Sequence, residues 1–376
     1  MKIQDIHVHV LEASLTQPFA YSQAWYDTRA ALLVEVVTDD GLVGWGECYG
    51  PARLNAAVVE GFRPLLVGAD PLATDLIWQT VYNAFRDHGQ KGLVVQALSG
   101  VDIALWDIKG KHFGVPAHRL MGGPVREHVR AYATGLYRRR DGDPLAYLVE
   151  EAEDYAAQGF SAMKLKIGFD HDQDVAVTWA IREAIGPDVG LMIDANHAYD
   201  SVAAIRFGRR VEDCDIGWFE EPVPPEDLAG YRAVRSALSI PIAGGEAEFT
   251  RFGFRNVLQA EAIDILQPDT CAAGGLSECK KIADTANAFG VRYNPHVWGT
   301  GVAIAASLQL LAVLPHNPPS LNPIEPMLEF DQTEHPVRMA VLTEPIRHEN
   351  GVVAIPGGPG LGIDINREAL TQFKAA

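Results

Sequence analysis

The sequence has few cysteines, and their spacing matches no common framework. Four occur in 376 residues, and no two lie at the short separation of a zinc site or of a small disulfide-bonded domain. They are Cys48, Cys214, Cys271 and Cys279. We therefore expect buried, reduced thiols and a cytoplasmic location.

Long apolar segments are also missing. No uninterrupted apolar run approaches the roughly 20 residues that cross a bilayer. The first residues alternate polar and apolar side chains, whereas a secretion signal has a basic segment followed by an apolar one. We therefore expect neither a membrane partner nor a signal peptide.

Positive charge is scarce. Lysine and arginine number 31 against 49 aspartates and glutamates, which gives a formal net charge of −18. Such a surface repels polyanions, so a nucleic-acid partner is not expected. A small anionic substrate would need local positive charge from a metal ion or a few lysines.

The first 125 residues are expected to form a separate domain. Residues 1–15, 30–38 and 42–48 alternate as strands do, and helical periodicity follows over 55–66, over 72–85 and in a longer helix that ends at Gly114. Segments 18–29 and 49–55 have the composition of loops. Trp25 and Arg53 in these loops are candidates for substrate contact.

From residue 126 the pattern alternates strand and helix, which is typical of parallel βα units. Strands are predicted at 129–134, 162–167, 190–194, 217–220, 242–245, 263–267, 291–294 and 321–325. Eight such strands close a barrel, which we place at 126–325. Residues 326–376 lack this rhythm and are expected to pack on the N-terminal domain.

Three successive strands each end in a carboxylate, at Asp194, Glu220 and Glu246. Because the C-terminal ends of barrel strands converge on one mouth, these carboxylates would repel one another unless a cation lay between them. Hard oxygen ligands with open coordination positions suit Mg²⁺. The sequence therefore predicts a magnesium site.

Neighbouring strands carry candidate catalytic groups. Lys164 and Lys166 alternate along a strand and so face the same side; two ammonium groups beside a metal are held less strongly protonated, which makes a lysine a possible base. Asp269 and His296 end the sixth and seventh strands and form a plausible acid–base dyad. Glu325 at the predicted end of strand eight adds a further carboxylate.

Two motifs resemble functional sites of other protein classes, but a purely structural role is the better interpretation of both. His7 and His9 resemble metal ligands of barrel hydrolases, but their strand belongs to the N-terminal domain and the other ligands do not follow. The glycine-rich segment 357–362 lacks the preceding strand and following helix of a phosphate-binding loop. An amidohydrolase-type enzyme and a non-catalytic binding protein with the same residues remain alternatives.

Taken together, these motifs resemble the enolase superfamily, in its mandelate racemase branch. The resemblance spans nearly the whole chain and includes segments 104–111, 120–123 and 358–364 besides the lysines, the three carboxylates and the dyad. It implies an α/β fold in which an α+β capping domain covers a modified TIM barrel, (β/α)7β. It also implies that Asp194, Glu220 and Glu246 bind Mg²⁺, and that Lys166 and His296 act as bases on opposite faces of a carboxylate substrate.

Within that branch, Asn196, His197, segment 296–301 and segment 322–326 are similar to enzymes that act on sugar acids and their lactones. This implies α-proton removal through an enediolate, followed by β-elimination that opens a galactaro- or glucarolactone. Dehydration of an open-chain acid and racemisation or epimerisation are the alternatives. Asn196, His197 and Trp298 join Trp25 and Arg53 as candidate substrate contacts, and we expect a homo-oligomer.

Overall fold

A computed structural model describes residues 1–376 and confirms the predicted α/β architecture. An antiparallel sheet with helices caps a curled sheet of eight parallel strands. None of the helices combines the length and the apolar character that crossing a bilayer requires.

The cap sheet consists of β1 (Ile3–Tyr21), β2 (Ala24–Thr38), β3 (Val43–Cys48) and the short β5 (Arg138–Arg139), in the order β3-β2-β1-β5. Four helices follow β3: α1 (Ala52–Leu66), α2 (Thr74–Phe85), α3 (Leu93–Phe113) and α4 (Ala117–Leu120). A Cβ on Gly46 would lie 1.9 Å from the carbonyl oxygen of Gly100. Only glycine therefore lets α3 pack this closely on β3, and Gly114 ends α3 at a φ of 69°.

The loop predicted at 18–29 is wrong, because this segment is the end of a long hairpin. Strands β1 and β2 pair up to Tyr21 and Ala24 around a tight turn at Ser22 and Gln23. Aromatic residues on both sides of that turn favour a pleated strand over a loop. The hairpin extends from the cap to the barrel.

The barrel strands are β4 (His128–Thr134), β6 (Ala162–Lys166), β7 (Gly190–Asp194), β8 (Ile216–Glu220), β9 (Ile242–Gly244), β10 (Ile265–Leu266), β11 (Arg292–Tyr293) and β12 (Leu328–Asp331). Their order is β12-β4-β6-β7-β8-β9-β10-β11, with parallel pairing throughout. The helices between them are α5 (Pro144–Ala157), α6 (His171–Ile185), α7 (Ser201–Val211), α8 (Leu228–Ala237), α9 (Thr250–Gln259), α10 (Gly275–Ala288) and α11 (Gly301–Leu311).

Strand eight lies at Leu328–Asp331, so its predicted position at 321–325 is wrong. Residues 321–325 form no strand, and Leu321 is 99% exposed. Pro323 and Pro326 lack the backbone N–H that a ladder needs, and the strand begins only after them. The strand therefore falls beyond residue 325, where we had placed the end of the barrel.

The C-terminal segment contacts both parts of the molecule. Val10 and Glu12 of β1 exchange backbone hydrogen bonds with Ala375 and Phe373, after helix α12 (Arg367–Gln372). Strand β13 (Val352–Ala354) pairs antiparallel with β4 of the barrel. The glycine-rich turn before α12 packs on α3, since a Cβ on Gly360 would lie 2.0 Å from the Asp107 carboxylate.

Candidate active site

The three predicted metal ligands meet at the C-terminal ends of β7, β8 and β9. Parallel register places Asp194 opposite Glu220, and one carboxylate oxygen of each of Asp194, Glu220 and Glu246 lies within 4.8 Å of the others. Asp194 and Glu220 are buried, and Glu246 is half-buried. Glu246 Oε2 has no hydrogen-bond partner although it is inaccessible to solvent. This all-oxygen donor set fits a divalent cation.

Lys164 and Lys166 both face this cluster, as the strand alternation predicted. Lys164 Nζ lies 2.5 Å from Glu220 Oε1, while Lys166 Nζ donates to Asp194 Oδ2 and, at 3.0 Å, to Asn196 Oδ1. Burial alone would lower the pKa of each ammonium group, but the adjacent carboxylates outweigh it and raise both pKa values. The expected lowering of the lysine pKa refers to a site with a bound metal and stays a prediction. A cation that bound these carboxylates would compete for the same charge.

Glu329 of β12 is a site residue that the sequence analysis missed. Its Oε1 accepts from Thr134 Oγ1 at 2.6 Å and lies 2.8 Å from Lys164 Nζ, and its Oε2 accepts from the backbone N–H of Val297 at 2.9 Å. Burial opposes ionisation, yet Lys164 and His296 lower the pKa of Glu329 to about 2. One signal was present in the sequence: a single glutamate within the apolar run 327–330.

Glu325, which we had predicted at the site, lies at the opposite end of the barrel. Its carboxylate is 2.8 Å from both Arg126 Nε and His316 Nε2. Arg126 precedes β4, and Glu325 also lines a cavity with Val291, which precedes β11, so these residues lie at the N-terminal ends of the strands. The proline-rich segment resembled a strand end, and this led to the wrong assignment.

Asp269 and His296 form the predicted dyad, with 2.6 Å between Asp269 Oδ2 and His296 Nδ1. The other ring nitrogen, Nε2, is 3.3 Å from Glu246 Oε2 and so points towards the metal ligands. Burial would lower the pKa of His296, but Glu246, Glu329 and Asp269 raise it to about 10. The carboxylate of Asp269 fixes the orientation of the ring.

These groups line a cavity of about 50 Å³ between the barrel and the cap. Its lining contains five polar side chains, Lys166, Asn196, Glu246, His296 and Glu329, and five aromatic ones, Tyr21, Tyr26, Tyr49, Tyr137 and Trp298. We call the second set the aromatic wall. It contains no charged side chain.

Two of the five candidate substrate contacts, Asn196 and Trp298, line this cavity, and three do not. Trp25 is 43% exposed, and its ring lies 5.0 Å from the Arg140 guanidinium. Arg53 is exposed and donates to the carbonyl oxygen of Ala376 at 2.9 Å. His197 Nε2 lies 3.0 Å from Glu221 Oε2, behind the cavity. The aromatic side chains beside Trp25 on the hairpin, Tyr21 and Tyr26, face the cavity instead.

The guanidinium group of Arg29 packs against the aromatic wall, and its donors are occupied by other partners. Arg29 lies 3.7 Å over the Trp298 ring and donates to the Trp298 carbonyl oxygen at 3.2 Å. Its other donors bind Thr333 Oγ1 at 2.9 Å and Asp331 Oδ2 at 3.4 Å. Arg29 therefore packs against Trp298, and it shares the Asp331 carboxylate with Arg338.

The hairpin tip touches the turn that follows strand β7, which carries the candidate metal ligand Asp194. Ser22 Oγ donates to the carbonyl oxygen of Ala195 at 2.7 Å, and Gln23 Nε2 donates to that of Asn196 at 3.0 Å. Asn196 and His197 adopt φ angles of 42° and 69°, a region that non-glycine residues rarely occupy. Contacts from the cap thus support a strained turn whose Asn196 side chain binds Lys166.

Sequence profiles of two families match the chain. The N-terminal domain of the mandelate racemase / muconate lactonizing enzyme family matches residues 5–122, and the enolase C-terminal domain-like family matches residues 147–369. D-galactarolactone cycloisomerase of Agrobacterium fabrum is 54% identical over 374 residues, which cover 100% of this chain and 99% of that protein. Arabinonate dehydratase of Saccharolobus solfataricus is 35% identical, over 90% of this chain and 89% of that protein.

A solved structure gives the same result at the level of the fold. The 3,6-anhydro-D-galactonate cycloisomerase of Zobellia galactanivorans superimposes with a TM-score of 0.91 at 41% identity, covering 100% of both chains. Profiles, relatives and fold agree with the arrangement of carboxylates, lysines and Asp–His dyad. The chain is therefore an enzyme of the enolase superfamily and belongs to its mandelate racemase / muconate lactonizing enzyme family.

Proposed function

We propose that this enzyme opens the ring of a galactaro- or glucarolactone to a 2-keto-3-deoxy diacid in the presence of Mg²⁺. The observation that carries this proposal is the distribution of charge in the cavity. The charged side chains of the lining are Lys166, Glu246, His296 and Glu329, and the aromatic wall, which forms most of the remaining lining, carries no charge.

The uncharged wall favours a lactone over an open-chain dicarboxylate. Galactarolactone has one free carboxylate, and its second carboxyl group is a neutral ester. An open-chain aldarate would bring a second carboxylate against the wall, and burying an unpaired charge costs several kcal/mol. Arg29 is the nearest candidate partner, and it is already bound to Asp331.

Asp194, Glu220 and Glu246 would hold the Mg²⁺, whose charge would stabilise the negative charge that develops on the substrate carboxylate. Lys164 Nζ, fixed between Glu220 and Glu329, adds positive charge beside the same carboxylate.

Proton transfer is assigned to Lys166 and His296. Strands β6 and β11 are separated in the sheet by β7 to β10, so Lys166 Nζ and His296 Nε2 reach the cavity from different walls. One of them removes the proton on the carbon next to the free carboxylate. The bond between the adjacent carbon and the ring oxygen breaks, the oxygen leaves as a carboxylate, and the enol takes a proton on that adjacent carbon. The sum is an isomerisation without water.

Dehydration of an open-chain sugar acid is the second candidate, because several relatives are named dehydratases. Loss of hydroxide requires a general acid, whereas a carboxylate leaves without one. Racemisation or epimerisation would use the same two bases without elimination.

Proton NMR in D₂O, with Mg²⁺ and a panel of lactones and open-chain acids, tests the proposal. Ring opening should yield a keto acid that carries one deuteron on the new methylene carbon. Deuterium exchange next to the carboxylate without elimination would indicate a racemase or epimerase. No exchange on any acid would contradict the roles given to Lys166 and His296.

The expected homo-oligomer and the expected cytoplasmic location of the enzyme stay predictions.

A further inference from the structure

A second group of potential metal ligands lies beside the three carboxylates, and two of its three members lie outside the substrate cavity. It consists of His197, Glu221 and Glu246, whose ligand atoms all lie within 4.8 Å of one another. His197 follows β7, Glu221 follows β8 and Glu246 follows β9. Glu246 belongs to both groups. Neither His197 nor Glu221 lines the cavity that contains Lys166.

Glu221 is the unusual member of this group. The residue is 1% exposed, and neither of its carboxylate oxygens has a hydrogen-bond partner. Buried carboxylates are normally paired or bound to a metal, because desolvation of an uncompensated charge is expensive. His197 Nε2 is close, at 3.0 Å from Glu221 Oε2, but the contact lacks hydrogen-bond geometry. Both oxygens are therefore available to a ligand.

The separation of these two atoms fits a shared cation. Two ligands in adjacent octahedral positions at about 2.1 Å from a cation lie about 3.0 Å apart. His197 is half-buried, and its side chain is 23% exposed, so an ion can reach the site without crossing the substrate cavity. Glu246 Oε2, which also lacks a hydrogen-bond partner, completes the set.

The formal charge of the region is negative and therefore favours the binding of more than one cation. Two lysines face six carboxylates in and around the site, which are Asp194, Glu220, Glu221, Glu246, Asp269 and Glu329. His296, whose pKa is raised to about 10, is a third cationic group, and the region still carries net negative charge after one divalent cation has bound.

We propose that His197, Glu221 and Glu246 bind a second divalent cation, with Glu246 shared between two adjacent metal sites. A set of one imidazole nitrogen and two carboxylates favours Mn²⁺ or Zn²⁺ over Mg²⁺, in contrast to the all-oxygen site. Because the cation lies outside the cavity, it ties the ends of β7, β8 and β9 together and does not contact the reacting atoms.

Metal stoichiometry of the full-length chain, stripped with chelator and titrated with Mn²⁺, tests this inference. Wild type should bind two equivalents, and both His197→Gln and Glu221→Gln should bind one. Asp194→Asn, which alters only the all-oxygen site, is the matched control and should also lose one equivalent. Circular dichroism of each variant establishes that it is folded.

Pulsed EPR identifies the ligand. The second equivalent of Mn²⁺ should show modulation from a directly bound imidazole nitrogen, and this signal should be absent in folded His197→Gln, while His296→Gln retains it. One equivalent in wild type would overturn the second site and leave the proposed function intact. No bound equivalent would overturn both. Two equivalents in both His197→Gln and Glu221→Gln would place the second ion elsewhere.

Discussion

Glu329 connects Lys164 to the barrel wall and to the loop that carries His296. Its carboxylate binds Lys164, Thr134 and the backbone N–H of Val297 at the same time. Removing one partner of a buried ion pair costs about 3–5 kcal/mol, because the remaining charge is left uncompensated.

Glu329→Gln should therefore lower kcat by about 100-fold or more, since Lys164 loses one of the carboxylates that hold its ammonium group in place. Glu325→Gln is the matched control, because the same substitution at the opposite end of the barrel should leave kcat within about twofold. Steady-state kinetics on the lactone measure both. Equal losses in the two variants would contradict the placement of Glu329 at the site.

Lys166→Met and His296→Asn should each reduce turnover by about 10²–10⁴-fold, the usual contribution of a general acid or base. Binding of the substrate should persist in both variants, and calorimetry measures it. Exchange of the α-proton with D₂O separates the roles, because the variant that lacks the abstracting base loses exchange. Full turnover in both variants would support the alternative of a non-catalytic binding protein and would refute the mechanism.

Among single residues, the sequence predicted that Asp194, Glu220 and Glu246 meet and that Asp269 contacts His296, because each of these residues ends or closely follows a short apolar strand. Glu329 was missed because it lies inside a strand whose start was obscured by Pro323 and Pro326. The sequence could not predict that neighbouring carboxylates raise the pKa values of Lys164 and Lys166, because it does not show which carboxylates surround them.

The β1–β2 hairpin is the element that joins the cap to the catalytic strand ends. It carries Tyr21 and Tyr26 into the aromatic wall, and Ser22 and Gln23 hold the turn that contains Asn196. The cap therefore closes the cavity and also contacts the backbone of the turn whose Asn196 side chain binds Lys166.

The double variant Ser22→Ala, Gln23→Ala should lower kcat/KM about tenfold, because two hydrogen bonds worth about 0.5–1.5 kcal/mol each are removed from the strained turn. Trp25→Ala, on the same hairpin but outside the cavity, should change kcat/KM by less than about threefold, within the range of a surface substitution. A larger loss in Trp25→Ala than in the double variant would show that the hairpin side chains are oriented differently.

The sequence could not predict this hairpin, because its two-residue turn lacks the usual Asn-Gly or Asp-Gly signal.

For the whole molecule, stability should depend on the protonation of His335. Burial and the guanidinium groups of Arg29 and Arg338 hold the pKa of His335 well below its ordinary value near 6.5. Below about pH 6.5 the unfolded chain binds a proton that the folded chain does not, so the stability contributed by neutral His335 is lost as pH falls. The slope is at most about 1.4 kcal/mol per pH unit.

The free energy of unfolding in urea, measured at pH 7.5, 6.5 and 5.5, checks this expectation. His335→Asn should lose less stability between pH 6.5 and 5.5 than wild type, and His88→Asn, at an exposed histidine, should follow wild type. Parallel curves for His335→Asn and wild type would refute it.

The overall two-part architecture was predictable because strand alternation and alternating βα units occupy separate parts of the sequence. The contacts of residues 326–376 with both parts were not predictable, because they depend on pairings between segments that are distant in the chain.

The central claim is that an uncharged wall selects a lactone with one carboxylate. The most direct measurement is a competition in one NMR tube between galactarolactone and open-chain galactarate, with Mg²⁺ in D₂O. We expect kcat/KM to favour the lactone by at least about 100-fold, or about 2.7 kcal/mol, with one deuteron in the product. Equal or faster consumption of galactarate would contradict it and would place an unpaired second carboxylate against the aromatic wall.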